Sequence, residues 1–260
     1  MTQKKSGVFT FLNKDKKPLF SWLSSNLEKS IKNYSTNPKY EELQSRSTKI
    51  EIKLFDSLFG ALVYLKQRVP HNQLVKPYSE YVYLALKEDT LPQIEQSDDT
   101  QAGDVVIGPF RSRFFVSDFV QAFSDTFGLV NMGDRSGVSE DLFKYYTQKQ
   151  SLAKFEVMQK KLSDELKFKQ MEELRVRLEF MKRYYDYLDF LKSTKSIDAT
   201  FEYDKHLIRI KNGLFVTIGD SNFNYEQHYL PSEQLAVEKS ELDERLIIYT
   251  FLKQKKSGFL

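Results

Sequence analysis

Three acidic residues stand where a carboxylate can serve a hydrolytic site. Asp56 precedes a predicted helix, and Glu80 and Asp104 lie beside predicted strands. Carboxylates in such places can hold a divalent metal or activate water. They serve equally as helix caps and as charges in loops or at strand edges. We favour this structural role and keep the catalytic one as an alternative.

Other metal-ligating side chains are sparse. The three histidines, His71, His206 and His228, form no ligand-spaced pair, and the chain contains no cysteine. The missing cysteine excludes a disulfide, a thiolate metal site and a cysteine nucleophile. The sequence therefore predicts neither a metal nor a cofactor.

Basic residues cluster in the first half of the chain, although the net charge is only +3. A balance this close to neutral does not by itself indicate a nucleic-acid-binding protein. The cluster can contact phosphates, or it can be an ordinary solvated surface, and the sequence leaves both open. The candidate nucleic-acid-binding residues are Lys29, Lys32, Lys66, Arg68, Lys76, Arg111 and Arg113.

The elements that must position these side chains follow from apolar periodicity. Residues 6–12 and 18–22 predict a hairpin, residues 24–34 a helix and residues 49–54 a strand. Asp56 or Ser57 then caps a helix that runs to about Arg68, and a strand follows at 81–86. The predicted order β-β-α-β-α-β makes residues 1–87 a small mixed sheet with packed helices.

Three further segments complete a predicted α+β chain. Residues 88–138 form a connecting segment with a strand at 105–107 and a helix capped by Ser117. Residues 139–195 carry leucines at helical spacing and predict a long helical hairpin. Residues 196–260 predict a small α+β unit, with a strand hairpin around Asn212-Gly213 and a last helix from Ser240.

The first third of the chain resembles the GIY-YIG nuclease domain of UvrC and its shorter relative Cho. That family has a Gly-Val-Tyr strand, a Leu-Tyr-Val-Gly strand and then a helix with Asn-Leu and an arginine. Further on it has a helix bearing a glutamate, Pro-x-Tyr-Asn and Gly-Pro-Phe. The matching segments here are Gly7-Val8-Phe9, Leu19-Phe20-Ser21-Trp22, Asn26-Leu27 with Ser30, Ala61, Pro70 with Asn72, Lys76 with Tyr81-Val82-Tyr83, and Gly108-Pro109-Phe110.

The resemblance implies a nuclease site that has lost its chemistry. Phe9 and Phe20 keep the rings of the two family tyrosines but lack their hydroxyls. Ser30 replaces the phosphate-binding arginine, and Ala61 replaces the metal-binding glutamate, while Asn72 alone persists. Without a general base, a phosphate-binding cation and a metal ligand, we expect no measurable cleavage.

A second segment resembles the UVR motif, the helical hairpin through which UvrB and UvrC associate. It carries Leu162, Leu166, Leu174 and Leu178 among dense mixed charge. The resemblance implies that these leucines form an exposed stripe for a partner helix. They can equally close an internal helical hairpin.

The resemblance as a whole implies a non-catalytic UvrC/Cho-like repair-associated protein that binds DNA, a repair partner such as a UvrB-like protein, or both. One alternative is a protein-interaction module without a nucleic-acid role, and another is a metal-dependent, structure-specific endonuclease with a relocated site. The chain has no apolar run long enough to span a membrane and no signal-peptide pattern, so a cytoplasmic protein is expected. The sequence does not determine the oligomeric state.

Overall fold

The computed structural model describes residues 6–68, 80–86, 93–95, 105–127, 146–149, 152–223 and 235–256. Helices and three small sheets make it an α+β protein, as the sequence predicts. The described residues fall into two compact units. The first unit lies within residues 1–77, 196–226 and 243–260, and the second within 78–195 and 227–242. The sequence instead predicted four consecutive segments.

The first unit begins with a three-stranded antiparallel sheet in the order β2 (Pro18–Ser24), β1 (Ser6–Leu12) and β3 (Lys49–Phe55). The Asn26 side chain caps the first helix by accepting a hydrogen bond from the Lys29 backbone. Apolar residues of β1 face in both directions, so helices pack on both sides of the sheet. The elements are β1 Ser6–Leu12, β2 Pro18–Ser24, α1 Leu27–Thr36, α2 Glu41–Arg46, β3 Lys49–Phe55 and α3 Leu58–Arg68.

A second antiparallel sheet completes the first unit together with the carboxy-terminal helix. Its core joins Phe59 and Leu62 of the third helix to apolar side chains of this sheet and of the last helix. Phe59 stacks on Phe251 with ring centroids 3.9 Å apart. The strands are β7 Ala199–Tyr203, β8 His206–Lys211, β9 Leu214–Ile218 and β10 Ser221–Asn222. The helix is α7 Lys239–Lys256, which belongs to this unit from Asp243 onward.

The second unit contains a sheet in the order β11-β6-β4-β5 and a helical hairpin. Two helices join at a turn centred on Leu166, so the predicted hairpin is present. The elements are β4 Val82–Leu86, β5 Gln93–Glu95, β6 Val105–Phe110, α4 Arg113–Phe127, α5 Leu152–Asp164, α6 Phe168–Thr194 and β11 Leu235–Ala236.

Three sequence predictions need correction. The strand Val82–Leu86 does not join the amino-terminal sheet: all five of its residues are buried, and it pairs with β5 and β6. The helix predicted to start at Ser117 begins at Arg113, where Ser112 accepts a hydrogen bond from the Phe115 backbone. The predicted carboxy-terminal unit 196–260 divides between the two units, because β11 pairs in parallel with β6.

Candidate functional site

Phe9 and Phe20, the two positions that resemble the GIY-YIG tyrosines, are core residues. Both are 0% exposed, and their ring centroids lie 6.1 Å apart. Tyr34 of α1 packs against both, with centroid distances of 5.5 Å to Phe9 and 4.8 Å to Phe20. Neither phenylalanine presents an edge to solvent, so neither position offers a surface for substrate.

Ser30 and Ala61, the other two described positions that match the family's site, have different partners. The Ser30 hydroxyl forms a 2.7 Å hydrogen bond with the Ser24 hydroxyl. Ala61 is 0% exposed and packs in a cluster with Val8. Since consecutive strand residues face opposite sides of a sheet, Val8 and Phe9 point in opposite directions. The structure therefore groups Phe9 with Phe20 but not with Ala61, and Asn72 lies outside the described residues.

An open cleft of about 820 Å³ lies elsewhere in the first unit. Its walls are the end of β3, one side of α3 and the turn between β7 and β8. The volume falls within the range of small-molecule and nucleotide sites. The lining residues are Ser6, Lys53, Leu54, Phe55, Asp56, Gly60, Val63, Tyr64, Gln67, Arg68, Tyr203, Asp204 and His206.

The amino terminus of α3 fixes one wall of the cleft. Ser57, one of the two caps predicted from the sequence, accepts a hydrogen bond from the Gly60 backbone at 3.1 Å. Its hydroxyl also lies 3.3 Å from the Tyr203 hydroxyl. A β-carbon on Gly60 would come within 2.8 Å of that same hydroxyl, so glycine permits the close approach.

A second wall of the cleft is a tight turn. Asp204 and Lys205 connect β7 to β8 and have positive φ angles of 47° and 64°. Two such residues form the type of turn that suits the twist of a two-stranded ribbon. This turn brings Tyr203, Asp204 and His206 to the cleft.

The cleft combines cations, hydrogen-bond donors and aromatic rings. Lys53 Nζ lies 4.2 Å above the Tyr64 ring, and Arg68 is exposed at the end of α3. The amide of Gln67 donates to the Ile218 carbonyl at 3.5 Å. Asp56 and Asp204 bring negative charge to the same walls. The arrangement can contact an anionic group through Lys53 and Arg68, with tyrosine rings nearby.

The structure separates the six described members of the seven predicted basic residues. Lys29 and Lys32 are exposed on α1, and Arg111 and Arg113 are exposed in the second unit. Arg68 lines the cleft, and Lys76 lies outside the described residues. Lys66 forms an ion pair with Glu244, whose side chain is only 4% exposed. These residues therefore do not form a single patch within the first unit.

The described residues that were considered for a relocated metal site, Asp56, Glu80 and His206, are not assembled into one. No group of three or more metal-ligating side chains occurs among the residues that the structure describes. Asp56 lines the cleft and Glu80 is exposed in the second unit. Asp104, His71 and His228 lie outside the described part of the chain.

The four leucines of the UVR-like segment have different environments. Leu174 and Leu178 are 4% and 8% exposed and belong to the core of the second unit. Leu162 is half-buried, whereas Leu166 is 71% exposed at the tip of the hairpin, with a φ of 55°. Phe168 beside it is 62% exposed. The four leucines thus form no continuous exposed stripe, and Leu166 at the tip is the one among them that is exposed.

Sequence reasoning missed most of the cleft. Lys53, Tyr64 and Gln67 lie on elements that were predicted. Nothing in their local sequence pattern indicates that they line the same cleft as Tyr203. Strand β7 was not predicted, because its pattern is short and ends at a turn without glycine. The cleft arises from packing of residues separated by more than a hundred positions.

Comparison with protein-family models, with curated proteins and with solved structures finds no match to this chain. Among the described residues, no helix is long and apolar enough to cross a membrane.

Proposed function

We propose that the protein is a non-catalytic relative of UvrC and Cho that binds nucleic acid through the cleft of the first unit. The observation that carries the proposal is a contrast between two places. Catalytic positions of the family hold buried, apolar Phe9, Phe20 and Ala61. The cleft holds Lys53, Arg68 and tyrosines beside open space.

The order of elements supports the nuclease-like origin. The chain runs through two strands, helices, a third strand and a further helix, which is the order that the resemblance leads one to expect for residues 6–68. Apolar residues on both sides of β1 support a sheet packed by helices on its two faces.

The chemistry of the cleft supports nucleic acid as the ligand. Lysine and arginine neutralise phosphates and release counterions, and aromatic rings stack on unpaired bases. A volume of about 820 Å³ accommodates a nucleotide rather than an intact duplex. We therefore expect single-stranded or bubble DNA to bind more tightly than a fully paired duplex.

A fluorescence-anisotropy titration tests this function. Labelled single-stranded, duplex and bubble DNA are titrated at two salt concentrations with magnesium or manganese present. A denaturing gel then examines the same samples. Salt-sensitive binding with intact DNA is the expected result, and absence of binding to all three would remove the nucleic-acid function. Cut DNA would show that a catalytic site exists.

A specific observation also favours a second function, protein interaction through the helical hairpin. Leu166 and Phe168 are large apolar side chains exposed together at its tip. Glu165 and Lys167 flank Leu166 and form a 2.6 Å ion pair with each other, and this contact lowers the pKa of Glu165. A purified UvrB-like protein is a suitable probe: Leu166→Asp should abolish its binding if the tip is the contact.

A further inference from the structure

The outer edge of β3 is an exposed strand edge. β3 is the terminal strand of the sheet β2-β1-β3, and no strand pairs with its outer edge in the described part of the chain. Ile52 and Leu54 on this strand are 54% and 51% exposed. A strand edge with unpaired backbone groups and apolar side chains is a template for pairing with another chain.

The β3 sequence Lys-Ile-Glu-Ile-Lys-Leu-Phe is complementary to itself in one antiparallel register. When two copies are centred on Ile52, each Ile52 faces its equivalent. Glu51 then faces Lys53 of the second copy, and Ile50 faces Leu54. Both cross-strand charge pairs join opposite signs, an arrangement that stabilises antiparallel strands.

The two neighbouring symmetric registers lack this complementarity. Centring on Lys53 places that lysine opposite its own equivalent. Centring on Glu51 places two glutamates face to face and sets Lys49 opposite Lys53. Like charges directly opposite each other are destabilising. The charges therefore select the register centred on Ile52.

Side-chain alternation divides the paired strands between two faces. In the pairing of β1 with β3, Ile52 lies opposite Phe9 and Lys53 lies opposite Val8. Ile50, Ile52 and Leu54 consequently share one face, and Glu51 and Lys53 share the other. Pairing would cover the exposed isoleucine and leucine on the first face and form both ion pairs on the second.

We propose that the protein forms a two-fold symmetric dimer in which β3 pairs antiparallel with β3 of a second copy about Ile52. The interface is isologous, because the same residues are contributed by both copies. The three-stranded sheets of the two copies become one continuous six-stranded sheet. The proposal does not depend on nucleic-acid binding.

Charge reversal tests both the interface and its register. Sedimentation velocity over a concentration series should show the wild-type mass rising from 30.6 kDa toward twice that value. Glu51→Lys and Lys53→Glu each create like-charge pairs, so each should weaken the dimer by about tenfold or more. An equimolar mixture of the two variants restores opposite charges at both positions and should dimerise. The double variant E51K/K53E should also dimerise by itself.

The control is Lys211→Glu, which makes the same charge change at an exposed position on β8. It should dimerise like the wild type. A wild type that stays monomeric up to about 100 µM would overturn the proposal. Single variants that dimerise as well as the wild type would place the interface elsewhere and reject it. Monomeric single variants whose mixture also stays monomeric would reject the register, and with it the proposal.

Discussion

Lys66 Nζ lies 2.5 Å from Glu244 Oε2 in the interior of the first unit. The other oxygen of this carboxylate accepts a hydrogen bond from the Phe215 backbone at 2.9 Å. The pair thereby ties α3 to β9 and α7. A lysine that the sequence offered as a phosphate contact has a structural partner instead.

Replacing Lys66 should destabilise the first unit. Lys66→Met removes the cation beside a carboxylate whose side chain is 4% exposed, so we expect a loss of about 3 kcal/mol in the free energy of unfolding. Urea unfolding measures this loss. Lys29→Met, at an exposed site on α1, is the control and should change stability by less than about 0.5 kcal/mol. Equal effects of the two substitutions would argue against the buried pair.

Tyrosines at positions 9 and 20, where the GIY-YIG proteins that the chain resembles have them, should not confer nuclease activity. Phe9→Tyr and Phe20→Tyr each place a hydroxyl at a position that is 0% exposed, which should cost about 1–3 kcal/mol of stability. Phe114→Tyr is the matched control, since Phe114 is 83% exposed. Thermal unfolding reports the stability, and a magnesium-dependent nicking assay reports the activity. Cleavage by the Phe9→Tyr/Phe20→Tyr variant would contradict this interpretation.

The hairpin leucines should respond to substitution according to their burial. Leu174→Ala opens space in the core and should cost about 2–5 kcal/mol. Leu166→Asn should have little effect on stability, because Leu166 is 71% exposed and asparagine tolerates its positive φ of 55°. Urea unfolding of both variants distinguishes the two environments. A large loss in Leu166→Asn would show that the tip is packed.

The second unit should lose stability in alkaline solution. Burial, with a smaller contribution from Tyr185, raises the pKa of Tyr146 above its ordinary value of 10.0, and burial likewise raises the pKa of Tyr184. These hydroxyls stay protonated in the folded state while the unfolded chain ionises. Their contribution is therefore complete below pH 10 and falls above it, at up to about 1.4 kcal/mol per pH unit for each tyrosine.

Tyr146→Phe isolates one of these two groups. Its hydroxyl is buried without a hydrogen-bond partner among the described residues, so removing it should leave stability at neutral pH unchanged or higher by about 1 kcal/mol. The decline above about pH 10 should become shallower. Urea unfolding at about pH 8 and 11 provides the comparison with the wild type. An unchanged decline would show that Tyr146 ionises normally in the folded protein.

The elements that follow from local patterns could be predicted from the sequence. Ser57 precedes an apolar helix, and Asn212-Gly213 separates two alternating strands, so α3 and the β8–β9 hairpin were both anticipated. Neither Tyr203 beside Gly60 nor Leu235 opposite Ile107 leaves a local signal, because each contact joins distant segments. The cleft and the two discontinuous units depend on such contacts, so the sequence did not predict them.

Lys66 and Arg68 illustrate the same limit within a single helix. Both are basic residues in the last turn of α3, and their pattern predicted a phosphate contact for each. In the structure their surroundings differ: Lys66 pairs with the buried Glu244, whereas Arg68 lines the open cleft. Only the carboxylate's position in the folded chain decides which lysine or arginine is available to a ligand.

The most direct test of nucleic-acid binding in the cleft compares the salt dependence of DNA binding for Arg68→Gln with that for Arg209→Gln and for the wild type. Both substitutions remove one exposed arginine from the first unit, but only Arg68 lines the cleft. Anisotropy with single-stranded DNA should show weaker binding for Arg68→Gln and a salt slope reduced by about one phosphate contact, with Arg209→Gln equal to the wild type. Equal affinities and slopes for all three proteins would contradict binding in the cleft.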